Sequence, residues 1–431
     1  MRVNKQSAVN LHGYRLCSGR ILSFVSLLFV VLLVSSCFIS LFSAFSPFVL
    51  GASTDIVVSN EAELVAAVDN APLGVSVVIA FDRDIALTNP LDILEGKDIT
   101  LTSTTAGDIG FYKLIGTKSI GVENHWYATI VVQSGSLLRL DGIIVTHERG
   151  VTGYGVMVYP DGTLILSDGE ISGNTGGGIY NRGLVEMSGG MISGNTAHSG
   201  GGIHNEVGVF VMSGGIIFGN SATFGSGGGV DNFRSVFSLF NGVISNNRAN
   251  FDGGGVYSIE SNFTMSGGEI SGNTALLGGG GVSFRGDRVD VLCFFELSGG
   301  VISGNTAKVC GGGIANIKGA LTMSGGKVSR NTVSYKGDLR DDSSYGGGVY
   351  NYLGTFKLSG GVISSNTAPK GGDIYNEDGE MYYFGVRDVV LTWCVDVTFV
   401  VLGVVVVMLF VSKKRRRVHE AKKLSIDSIE D

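Results

Sequence analysis

The chain has 431 residues, 44% of them hydrophobic and 16% charged, with 68 Gly against 5 Pro and a formal net charge of −7. The glycines lack the every-third-residue spacing of collagen, and the hydrophobic content is too high for a disordered glycine-rich chain, so both classes are excluded. The charge is uneven: residues 1–54 carry four basic and no acidic groups, the tail from Lys413 carries seven basic and four acidic, and the intervening body holds 20 basic against 34 acidic, a balance of −14 that excludes nucleic acid as a partner.

In chain order, Arg2, Lys5, Arg15 and Arg20 precede a stretch with no charged residue from Ile21 through Thr54. A basic start followed by an apolar segment is an export pattern, so residues 1–52 are expected to be a signal peptide or an N-terminal membrane anchor, with the small residues Gly51 and Ala52 as a cleavage point. Val34-Ser35-Ser36-Cys37 has the form of a lipoprotein box, but apolar sequence continues past Cys37 where a polar tether belongs. Residues 53–162 are expected to hold a capping helix and degenerate coils. Asn60 can cap a short amphipathic helix through Val68, and apolar runs follow at Val75–Phe81, Ile99–Thr102, Thr129–Val132 and Leu137–Val145.

From 163 to 385 the sequence repeats itself. Aligned on Ile-Ser-x-Asn, the copies place Asn174, Asn195, Asn220, Asn247, Asn273, Asn305, Asn331 and Asn366 at one equivalent position, with gaps of 21, 25, 27, 26, 32, 26 and 35 residues. The period of about 25 residues marks a solenoid. In one copy, Phe263, Met265, Ile270 and Val282 stand between polar or glycine corners, a pattern for three short strands per coil and not for a helix. Stacked coils pair like strands above and below, and inward asparagines at one bend can hydrogen-bond along the stack as a structural ladder. A leucine-rich repeat lacks its leucines here, and a propeller blade needs a longer period.

These residues carry a family resemblance. Ile-Ser-Gly-Asn together with Gly-Gly-Gly-Ile/Val-Tyr resembles the paired FxxN and GGA(I/L/V) repeats of the polymorphic outer-membrane protein and adhesin-like group, over Thr163 to Asn376 well and over the preceding hundred residues loosely. That group resembles the pectin-lyase-like right-handed parallel β-helices. The resemblance implies an all-β, right-handed parallel β-helix solenoid with an N-terminal capping helix, and an adhesin-like surface role. Polymorphic outer-membrane proteins end in a membrane β-barrel, and this chain departs from them. Leu391–Val411 is an apolar run interrupted only by Asp396, long enough to span a bilayer as a transmembrane helix, and Lys413-Lys414-Arg415-Arg416-Arg417 after it places residues 412–431 in the cytoplasm and the repeats outside.

Chemistry is sparse. Pectin-active β-helices use clustered Asp with Arg, Lys or His, and the nearest equivalent is Asp338, Arg340, Asp341 and Asp342 in the longest insertion between repeats. His198 and His204 lack a third metal ligand and read as exposed loop and face residues. Ser226–Asp231 matches a calcium nonapeptide once and incompletely, and Asn262-Phe263-Thr264 is a glycosylation triplet whose Phe263 faces inward. Cys293 and Cys310, less than one period apart, fall on different sides of a coil and form no framework. The expectation is a non-enzymatic, membrane-anchored cell-surface protein, adhesin-like or envelope-structural, without cofactor. Its partners are the membrane, through the C-terminal helix, and surface glycans or proteins of a host or neighbouring cell; the alternative is a polysaccharide-binding protein, lyase or hydrolase for acidic glycans.

Overall fold

The computed structural model describes residues 56–104, 110–118, 127–286, 293–334 and 344–383. The segment 1–52, the apolar run Leu391–Val411, the tail 412–431 and the Asp338–Asp342 insertion lie outside them.

The described residues open on a short strand, Ile56–Val58, followed by a helix, α1 (Glu61–Asn70). The Asn60 side chain accepts from the Glu63 amide at 3.0 Å and the Ser59 amide donates to the Glu63 carboxylate at 2.8 Å, closing the helix N-terminus. At the other end, buried Lys97 donates through Nζ to the carbonyls of Asp69 and Ala71, at 2.8 and 2.6 Å, putting a cation on the negative end of the helix dipole. Leu64, Ala67 and Val68 are buried and join the core with Val58, Ile79, Ile85 and Leu87. The helix thus covers apolar surface that a first coil leaves open.

All named strand pairings are parallel, consistent with a β-helix. The strands form sheets of 22, 11 and 6 members, here the first, second and third sheets. One coil runs Asn262–Met265 and Glu269–Ser271 in the first sheet, Thr274–Ala275 in the third and Val282–Arg285 in the second. The coil therefore has four strand segments where the sequence pattern suggests three, because the Ser-Gly-Gly corner bends one strand without ending its sheet. In Leu137–His147 and Thr163–Ser172, which carry Asp141-Gly142 and Asp168-Gly169 at the equivalent place, a single strand runs through the bend.

Phe210, Phe237, Phe263 and Phe295 occupy one inward column of the first sheet, fully buried, with successive ring centroids 4.7, 4.7 and 4.6 Å apart and planes within 12°. Isolated aromatic pairs prefer offset or edge-on arrangements, but strand spacing of about 4.7–4.9 Å holds these rings face to face. The Gly-Gly-Gly turns leading into the second sheet are drawn just as close: a Cβ on Gly254 would stand 2.5 Å from the Gly280 carbonyl of the next coil. Only glycine lets backbone approach backbone at that distance.

Candidate functional site

The inner frame is two rows of side-chain amides. Asn174, Asn195, Asn220, Asn247, Asn273, Asn305 and Asn331 are fully excluded from solvent and Asn366 nearly so. Each donates through its backbone amide and Nδ2 to Oδ1 of the next, as Asn273 does to Asn305 at 3.0 and 2.9 Å, and Nδ2 also reaches a carbonyl of the preceding coil, Ile244 for Asn273. The row has a polarity: every residue gives to its successor. Its ends need a donor at one side and an acceptor at the other. His147 supplies the first, with Nδ1 2.7 Å from Asn174 Oδ1, and Asp373 the second, its carboxylate accepting from Asn366 N and Nδ2 at 3.0 and 2.9 Å. Burial lowers the His147 pKa and so favours the neutral ring, an effect partly offset by the bond to Asn174.

A second row, absent from the sequence reading, lines the inner side of the second sheet. Asn181 donates to Asn205 and Asn205 to Asn232, each at 2.7 Å, and Asn232 to the Ser258 hydroxyl at 3.1 Å. Phe284 then breaks it, and the row resumes as Asn316, Asn351 and Asn376, linked at 2.6 Å. At the break the Asn316 Oδ1 is buried without a hydrogen-bond partner among the described residues. The signal was present as Asn two residues after the Ile or Val that follows Gly-Gly-Gly, as in Ile179-Tyr180-Asn181.

On the outer side of the same sheet the register puts Met157, Tyr180, His204, Asp231, Tyr257, Ser283, Ala315, Tyr350 and Tyr375 in one column. Two polar and aromatic clusters form along it. Near the N-terminal end, Tyr180 stacks on His204 with centroids 5.4 Å apart and planes 9° from parallel, and Tyr154 lies 5.4 Å from Tyr180. His204 Nδ1 is 2.9 Å from Asp231 Oδ2, while the Tyr180 hydroxyl donates to Glu206, whose carboxylate lies 3.9 Å from Arg182 Nε. Burial works against a charged His204, but the bond to Asp231 and the Asp231 and Glu206 charges prevail and raise its pKa. Burial, and for Tyr180 the bond to Glu206, push both tyrosine hydroxyls up.

The second cluster lies towards the last coil. Tyr345 stacks on Tyr375 at 4.5 Å, Lys370 Nζ sits 5.3 Å over the Tyr345 ring, and the Tyr350 hydroxyl donates to Glu377 at 2.7 Å. Cys310 lies beneath, its thiol pushed up to about 12 by burial and then by Asp252. In both clusters rings pack beside carboxylates, with Tyr154, Tyr180 and Tyr350 buried and His204, Tyr345 and Tyr375 half-buried.

His204 is therefore not the exposed face residue expected from its spacing: the second sheet brings Asp231, a full coil away in sequence, against it. His198 does lie at the surface, stacked on Phe224 at 6.0 Å. Asp231 is spent on His204, which is a further reason that the Ser226–Asp231 segment is no calcium loop. Phe263 is fully buried, and Cys293 and Cys310 are not bridged to each other. Among the described residues no group of three His, Cys, Asp or Glu side chains is arranged to hold a metal. The Asp338, Arg340, Asp341 and Asp342 candidate lies outside the described residues. No family model, curated protein or solved structure matches this chain.

Proposed function

We propose that the chain is a non-enzymatic, adhesin-like or envelope-structural protein of the cell surface, its right-handed, pectin-lyase-like β-helix held at the membrane by the Leu391–Val411 segment and displayed outside the cell. The observation that carries the recognition role is the outer column of the second sheet, where rings and carboxylates of Tyr154, Tyr180, His204, Asp231 and Glu206, and again of Tyr345, Tyr350, Tyr375 and Glu377, are fixed on a scaffold locked by two amide rows. Tyr154, Tyr180 and Tyr350 are buried and brace this face, while His204, Tyr345 and Tyr375 are half-buried; half-exposed rings on rigid elements are favoured contact residues because little conformational entropy is lost when they bind.

A second reading, glycan binding without catalysis, is favoured by the same rings, since tyrosine faces suit the apolar faces of sugars. Half-buried Glu206 and Glu377 on that face weigh against an anionic polymer such as a polyuronate.

Protease added to intact cells should digest the body and spare the basic tail; a protected body would refute surface display. Purified full-length protein carrying His204→Ala and Tyr375→Ala, the half-buried rings of the two clusters, should lose binding to cells or to a glycan array. Retained binding would remove the second-sheet face from the account.

A further inference from the structure

The turns between the third and second sheets form a ridge. Their backbones are stacked in register: the Phe224 amide donates to His198 at 3.3 Å, Phe251 to Gly225 at 3.1 Å, Leu277 to Phe251 at 3.0 Å and Val309 to Leu277 at 3.0 Å. On this rigid support Phe224 is 70% exposed, Phe251 49% and Leu277 43%. Three large apolar side chains on successive coils, unable to fold back into a core, are the kind of exposed patch that marks an interaction surface.

The charge beside the ridge runs against the rest of the body. Arg248 and Lys308, next to the ridge on the third-sheet side, Arg330 at the corner leading into that sheet and Lys370 in the last turn are all exposed. Among the described residues of these strands and turns the only carboxylates are Asp252, half-buried and accepting from the Gly278 amide at 2.8 Å, and Asp373, engaged with Asn366. In a body with a balance of −14, the described part of this apolar-crested flank thus carries four exposed cations against two carboxylates; the insertion 335–343 in the same series of turns lies outside the described residues.

We propose that this flank docks on an anionic lipid headgroup layer, with Phe224, Phe251 and Leu277 entering the interface and Arg248, Lys308, Arg330 and Lys370 facing lipid phosphates. Apolar side chains fringed by Lys and Arg are the chemistry of interfacial membrane binding, and each cation near an anionic surface adds to it. A second copy of the chain fits less well. The three exposed side chains offer on the order of 300 Å² per copy, against roughly 800 Å² per partner in a stable protein interface. The proposal rests on the surface-anchored reading, which keeps the body within reach of a bilayer, and it has the solenoid lying along the membrane.

The test uses full-length protein reconstituted into vesicles of phosphatidylcholine, alone or with about one third phosphatidylglycerol, containing brominated lipid. Trp126 and Trp393 are replaced by Phe, and a single reporter is placed at the ridge (Phe251→Trp) or on the outer face of the first sheet (Val236→Trp). The ridge reporter should be quenched and blue-shifted in phosphatidylglycerol vesicles, and should lose both in high salt or with Arg248→Gln and Lys308→Gln added. The Val236→Trp reporter should remain unquenched. Native Trp393, left as the sole tryptophan in a companion protein, reports the anchor. A quenched Trp393 with an unquenched ridge reporter would overturn the proposal and leave the anchor standing. An unquenched Trp393 would refute the anchor, and the ridge would then be judged by co-sedimentation of the same protein with phosphatidylglycerol vesicles, its absence overturning the proposal. Shielding of the ridge reporter that grows with protein concentration without lipid would overturn it in favour of a second copy.

Discussion

The His147 Nδ1 lies 2.7 Å from the Asn174 Oδ1, so a buried imidazole donates the hydrogen bond that starts a row of asparagine amides running through eight coils. Because each asparagine gives its protons to the next, Asn174 Oδ1 has no asparagine behind it, and a protonated Nδ1 is what completes it.

That placement predicts an acid limb in stability. The His147 pKa is lowered by burial from its ordinary 6.5, so the unfolded chain takes up a proton before the folded one does. The contribution is intact above that ordinary value, declines as pH falls below it and levels off once the folded ring is protonated. His204 acts in the opposite sense: with its pKa raised, the stability from its contact with Asp231 is present below the ordinary value and lost as pH rises through the raised one. Melting temperature followed against pH should lose its acid slope in His147→Gln, whose amide can still donate to Asn174, and its alkaline slope in His204→Gln. Unchanged slopes in both variants would place the titrations elsewhere.

The break in the second row gives another expectation. Phe284 fills the position where other coils carry Asn or Ser, and Gly319 lies against its ring so closely that a Cβ there would overlap it. Gly319→Ala should therefore destabilise by about 1–3 kcal/mol through overpacking, read as a lowered denaturant midpoint with an unchanged slope. A neutral effect would mean that the Phe284 ring has room to move.

Val207 is held at φ 56° in the turn between the second and first sheets, the residue 61% exposed. A β-branched residue in the left-handed region is strained by about 1–3 kcal/mol and here has little packing to lose. Val207→Gly should raise the melting temperature, although glycine returns some of the gain by loosening the unfolded chain. A fall would show that the exposed isopropyl group packs more than its exposure suggests.

What could be read in the sequence follows from how each feature is encoded. The first asparagine row is written at one fixed offset from a recurring Ile-Ser step, so spacing alone aligns its members. The second row is interrupted by Ser258 and Phe284 and sits beside a variable outward residue, which hides its period. The bend of the first sheet could not be read, because Ser-Gly-Gly looks the same whether it ends a strand or folds it. His204 and Asp231 stand 27 residues apart and meet only because the second sheet pairs them directly, a relation that needs the register. Glycine corners make the coil visible; the outer columns become visible only once the coils are stacked.

The most direct test of the account is amide hydrogen exchange on Asn273→Leu beside Asn262→Ala. Asn273 accepts from Asn247 N and Nδ2 at 2.9 and 3.0 Å and gives to Asn305 and the Ile244 carbonyl, so leucine orphans several buried groups, each at about 1–3 kcal/mol. Asn262 stands on an outward strand position, and its Oδ1 has no hydrogen-bond partner among the described residues to lose. Because coils couple chiefly to their neighbours, the account predicts faster exchange confined to the coils around residues 240–310 in Asn273→Leu and little change in Asn262→Ala. Equal, negligible effects in the two variants would contradict the claim that the asparagine row holds the stack together.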